Sequence, residues 1–123
     1  TTEVLNKLYA GLLKTYYGDA LVVDDFYQWT WARISHFFHS PYYVYQYATC
    51  FASAAKLAAE LEGADPAVRA SARDRYLELL AAGGSDHPMT LLRRAGIDLA
   101  EPGPVTAVVA QLDRLVGELE TLL

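Results

Sequence analysis

Apolar residues recur along the chain at helical spacing, interrupted at regular intervals by helix-stop and helix-start residues. Val4, Leu5, Leu8, Leu12 and Leu13 make one face of a first helix, expected from about Glu3 to Tyr17 and ended by Gly18-Asp19. Leu21-Val22-Val23 is a short apolar connector; as a strand it would have no partner. Asp24 or Asp25 is a suitable N-cap for a second helix carrying Phe26, Trp29 and Ile34 to about Phe38. Ser40-Pro41 breaks it, because proline disfavours helical geometry in the residue before it. A third helix is expected from near Tyr42 to about Glu62. Its second half, Ala52 to Ala59, is rich in Ala and Ser, which lets a neighbouring helix approach closely.

Gly63 closes that helix, and Asp65-Pro66 pairs an N-cap with a first-turn proline to open a fourth, about Pro66 to Ala82. Val68, Tyr76, Leu79 and Leu80 are expected on its apolar side. Gly83-Gly84 stops it, and Ser85-Asp86 with Pro88 opens a short fifth helix, Met89 to Ala95, capped by Gly96. After Ile97-Asp98-Leu99 and Pro102-Gly103-Pro104, a last amphipathic helix runs from Val105 to Leu122. No strand pair, internal repeat or low-complexity segment interrupts the pattern. The expected fold is all-α, with about six helices forming a single helical domain over residues 1–123.

The chain has 123 residues, 53% of them hydrophobic, enough for a core of its own. The formal charge is −5 and no basic patch stands out, which argues against a nucleic-acid partner. No apolar run approaches the roughly 20 residues needed to span a bilayer, so no membrane partner is expected. The lone cysteine, Cys50, allows no internal disulfide and fits a cytoplasmic setting. Its default reading is a buried, inert thiol.

Candidate chemistry concentrates between Trp29 and Ala59. That stretch holds both tryptophans, His36, His39, Tyr42, Tyr43, Tyr45, Tyr47 and Cys50. His36 and His39 are three apart and could share a helix face, but no third metal ligand lies at a matching interval, so no metal is expected on this chain alone. Tyr43 and Tyr47, at helical spacing, would share one face, and Tyr42 and Tyr45 an adjacent one. Buried phenols need hydrogen-bond partners, so four together are either a demanding core or the wall of a cleft. In a cleft they would donate hydrogen bonds to a ligand carbonyl or a developing oxyanion.

These residues carry a resemblance. Trp31-Ala32, Ile34, His36-Phe37-Phe38 and the run Tyr42-Tyr43-Val44-Tyr45-Gln46-Tyr47-Ala48-Thr49 resemble the C-terminal catalytic region of oligoendopeptidase F-type zinc metallopeptidases, relatives of thimet oligopeptidase. Gly83-Gly84-Ser85, Pro88, Leu91-Leu92, Ala95-Gly96 and Ile97-Asp98 follow in the family's order. Ser35 stands where the family often has Pro, and Cys50 where Gly is common. The interval from His36 to the tyrosines is slightly longer than usual, which leaves His39 able to take part of the histidine role.

The resemblance implies a zinc metalloendopeptidase acting on short oligopeptides, of which this chain would be the part lacking the His-Glu-x-x-His zinc helix. Zinc would belong to the full-length parent, with none held here, and the segment alone would be inactive. His36, Tyr47 and Tyr43 would stabilise the tetrahedral oxyanion, while Tyr42, Tyr45 and His39 would bind substrate. The implied partners are the oligopeptide substrate and the zinc-bearing N-terminal part of the same protein. Exposed apolar faces could also pair into a homo-oligomer. The alternative reading is a non-catalytic helical module that binds a peptide or dimerises.

Overall fold

A computed structural model describes residues 1–123. The chain is entirely helical, with seven helical segments and no strand. They are α1 (Thr2–Tyr17), a 3₁₀ segment (Asp25–Arg33), α2 (His36–His39), α3 (Tyr45–Leu61), α4 (Pro66–Ala82), α5 (Pro88–Arg94) and α6 (Gly103–Glu120). The chain divides into two compact units, Thr1–Val44 and Tyr45–Leu123.

In the first unit α1 packs on the 3₁₀ segment. The leucine face of α1 does not become a core: Val4, Leu5, Leu8 and Leu12 are all exposed. The buried residue of this helix is Asn6, 4% exposed. Its Oδ1 accepts a 2.7 Å hydrogen bond from the Trp31 indole N–H, so the buried amide is satisfied where an unpaired one would cost about 1–3 kcal/mol. The unit has too few elements to cover a whole apolar helix face.

The single helix expected up to Phe38 is two pieces. Residues 25–33 form a 3₁₀ helix, with the Tyr27 amide donating to the Asp24 carbonyl at 2.9 Å. The Gln28 amide and Thr30 hydroxyl donate to the carbonyls three residues back, at Asp25 and Tyr27, which reinforces the tighter winding. Ile34 is extended (φ −85°, ψ 94°) and ends the segment before α2 begins.

In the second unit α3 packs on both α4 and α6, and α4 on α5. The small-residue half of α3 is buried as expected, at Ala52, Ser53, Ala55 and Leu57. With Ala72, Leu91, Ala95 and Ile97 these make the core. The Asp65 carboxylate accepts from the Ala67 amide at 2.8 Å, and Pro66 opens α4. The buried side of α4 differs from the expected one. Ala72 is 0% exposed and Leu79 is half-buried, while Val68, Tyr76 and Leu80 lie outside. Close approach to α3 selects the small Ala72 and leaves the larger residues at the rim.

A charged clamp joins the elements. The Arg75 guanidinium donates to the Glu60 carboxylate of α3, to Ser71 Oγ at 2.6 Å and to the Ala95 carbonyl at 3.2 Å. Lys56 Nζ reaches the other Glu60 oxygen at 2.8 Å. Gly96 sits over this clamp at φ +88°, where a Cβ would come within 3.2 Å of Arg75 Nε. Only glycine meets both conditions without strain. Further on, the Arg93 guanidinium and the Ala100 amide hold the Asp98 carboxyl below its usual value.

Candidate functional site

The boundary between the units falls inside the tyrosine run. His36, His39, Tyr42 and Tyr43 belong to the first unit, and Tyr45 and Tyr47 open α3 in the second.

Within the first unit the structure brings three of the predicted residues together. The His36 and Tyr43 rings stack with centroids 5.0 Å apart and planes 19° from parallel. His36 and His39 lie 5.7 Å apart at 55°. The pairing follows from the backbone. The Ser40 amide donates to the His36 carbonyl at 2.9 Å, closing α2. The Tyr43 amide then donates to the Ser40 carbonyl at 3.2 Å, folding Ser40–Tyr43 into a turn with Pro41 at its first corner. Tyr42, at the second corner, has φ +61°, the left-handed geometry of a type II turn that ordinarily selects glycine or asparagine. The turn swings Tyr43 back over His36. His39 Nδ1 lies 3.1 Å from Ser40 Oγ.

The turn overturns one expectation. Tyr43 and Tyr47 do not share a helix face, because α3 starts only at Tyr45. Tyr42 is 92% exposed, displayed by its left-handed backbone. Tyr45 and Tyr47 stand on the outer surface of the first turn of α3. Cys50, expected to be buried, is exposed, because α4 and α6 cover the Ala52–Leu57 half of α3 and not the turn before it.

Beside the histidines lies an open groove of about 700 Å³, lined by Leu5, Leu8 and Leu12 of α1 with Trp31, Phe37 and Phe38. Trp31 and Phe38 pack at 6.1 Å between ring centres. Sequence reasoning missed Asn6, which fixes Trp31 at this wall; set between Leu5 and Lys7, it leaves no signal in the apolar pattern.

As a metal centre the cluster does not fit: nowhere do three or more His, Cys, Asp or Glu side chains come together to hold an ion. The arrangement sets imidazole and phenol groups, both able to donate hydrogen bonds, side by side. No helix is long and apolar enough to cross a membrane.

Comparison with known proteins gives the family. Residues 1–110 match the model of Peptidase family M3. The oligopeptidase PepF of Bacillus subtilis is 40% identical over 124 aligned residues, which cover 100% of this chain and 18% of that protein. The group B oligopeptidase PepB of Streptococcus agalactiae is 39% identical, covering 99% of the chain and 20% of the relative. A plasmid-borne oligoendopeptidase F of Lactococcus lactis is 38% identical over the same share. The chain thus spans about a fifth of the length of these relatives. No solved structure matches. With the family model covering residues 1–110, and the relatives aligning over nearly the whole of this chain, the chain belongs to Peptidase family M3.

Proposed function

We propose that this chain is the substrate-binding and transition-state-stabilising part of a zinc metalloendopeptidase that hydrolyses short oligopeptides in the cytoplasm. The observation that carries the reading is the stacked His36–Tyr43 pair, set in a segment whose relatives are named oligopeptidases. Zinc belongs to the remainder of the parent, since no group of side chains here fits an ion.

In this reading His36, Tyr43 and Tyr47 donate hydrogen bonds to the oxygen of the scissile carbonyl as it gains negative charge. Neutral donors held in place before reaction are worth more in the transition state than in the bound substrate. Stacking against Tyr43 holds the His36 ring plane, so its orientation costs nothing at the moment of reaction. Tyr42, Tyr45 and His39, all exposed, bind the peptide.

The test is made in the protein at the length of its relatives. Tyr47→Phe deletes one donor and keeps the ring. We expect kcat to fall about 100-fold with KM little changed. Turnover near the unsubstituted enzyme removes Tyr47 from this role.

A further inference from the structure

Resting on the reading of this chain as part of a longer peptidase, we infer that the outer face of α6 seats an amphipathic helix from the remainder of that peptidase, with Lys or Arg along one edge of its apolar seam. Val105, Val109, Leu112, Val116 and Leu119 recur at alternating steps of four and three, the spacing of a helix–helix seam. All five are between 46% and 62% exposed. They are not the side that meets α3, which is Pro104, Ala107, Val108 and Gln111, about a third of a turn away. α6 therefore has two apolar faces, and this unit covers one of them.

The edges of the open face say what covers it. Leu115 extends it on the side nearer α3. Asp113 and Glu120, seven residues apart and exposed, border the other. Arg114 does not neutralise that border, since it is tied to Glu118 at 2.7 Å. A second copy seated antiparallel would lay this acidic edge along the same edge of its partner, like charge towards like charge. A lipid surface would call for cations beside the seam, not acids. A helix with basic residues on the matching edge satisfies both features.

The area points to a permanent neighbour. The chain exposes 9538 Å². Two separate compact bodies of the sizes of its units would together expose only about 7,800 Å². The excess over the whole chain, on the order of 1,700 Å², takes in the uncovered leucine face of α1 as well as this face of α6, and as one side of a contact it is that of obligate rather than transient interfaces. About four-fifths of each relative lies outside the matched region, ample to supply the covering helix.

The test uses the full-length peptidase with Cys50→Ser and any other accessible cysteine replaced. Leu112→Cys, Val116→Cys and, as an exposed reference on the same helix, Glu118→Cys are labelled with a maleimide. We expect the two seam cysteines to react at least about ten-fold more slowly than the reference. Equal rates overturn the inference, as does protection that vanishes on dilution, which would mean a second copy. Amide exchange of α6 in the unsubstituted enzyme repeats the measurement without any change to the seam, and unprotected seam amides overturn it too. Asp113→Lys with Glu120→Lys should lower Tm, and an unchanged or raised Tm refutes the basic edge. Peptidase activity is assayed in parallel. An inactive protein with a protected seam sinks the catalytic reading and leaves this one standing.

Discussion

Arg75→Met is the sharpest test of how the second unit is held together. The substitution keeps most of the aliphatic stem and deletes the guanidinium. Three hydrogen bonds go: to Glu60 across α3 and α4, to Ser71 on its own helix and to the carbonyl of Ala95 beyond α5. The Arg75 and Glu60 side chains are 30% and 22% exposed, so water screens the pair only in part. A charge-assisted bond of this kind contributes about 1.5–3 kcal/mol, and the Ala95 bond about 1 kcal/mol. Two features reduce the loss. Lys56 still holds Glu60, so no stranded carboxylate remains, and the exposed Ser71 hydroxyl turns to water. The net expectation is a loss of about 2–3 kcal/mol. For a unit of this size that lowers Tm by roughly 10 °C or more. Urea denaturation followed by far-UV circular dichroism measures it. Arg73→Met is the control, since its pairing with the adjacent Asp74 is largely exposed and should be worth under about 0.5 kcal/mol. If Arg75→Met costs no more than Arg73→Met, the clamp does not hold α3, α4 and α5 together and the reasoning fails.

Other substitutions probe neighbouring features. Gly96→Ala combines a left-handed backbone with a Cβ pressed towards Arg75, and should cost about 1–2 kcal/mol in the same urea assay. In the Arg75→Met background the cost should shrink, because the obstructing guanidinium is gone; strict additivity would count against the contact. Tyr42→Gly should stabilise the first unit by about 0.5–1 kcal/mol, since the residue is left-handed and its side chain packs on little; a loss of stability by tryptophan fluorescence would refute the turn assignment. Asp98 has a lowered folded-state pKa, so its contribution is present above the usual carboxylate range and is lost as pH falls through the lower folded value. Asp98→Asn should therefore flatten the acid limb of stability below about pH 4 and leave its shape unchanged at neutral pH.

Much of the fold was legible where its cause is local. α4 runs from Pro66 to Ala82 as read, because an aspartate cap, a first-turn proline and a glycine stop act within a few residues of themselves. Packing against distant elements was less legible. The leucines of α1 announce a buried face that its unit cannot cover, while buried Asn6 is explained only by Trp31, 25 positions on. The 3₁₀ winding of residues 25–33 leaves the same apolar spacing as an α-helix and could not be told from it. At the candidate site, the nearness of His36 and His39 follows from their separation of three. The stack of His36 on Tyr43 depends on a left-handed tyrosine, which no pattern of apolar positions foretells. Arg75 and Glu60 read as ordinary surface charges until α3 and α4 are laid side by side.

Both tryptophans lie in the first unit, at Trp29 and Trp31, and the second unit has none. Indole emission is therefore blind to α3 through α6, whereas far-UV dichroism is dominated by those four helices. The two signals separate the bodies spectroscopically without any label. Melting curves that superimpose would mean that the units lose structure as one cooperative block; curves that part would give each unit its own stability from a single sample.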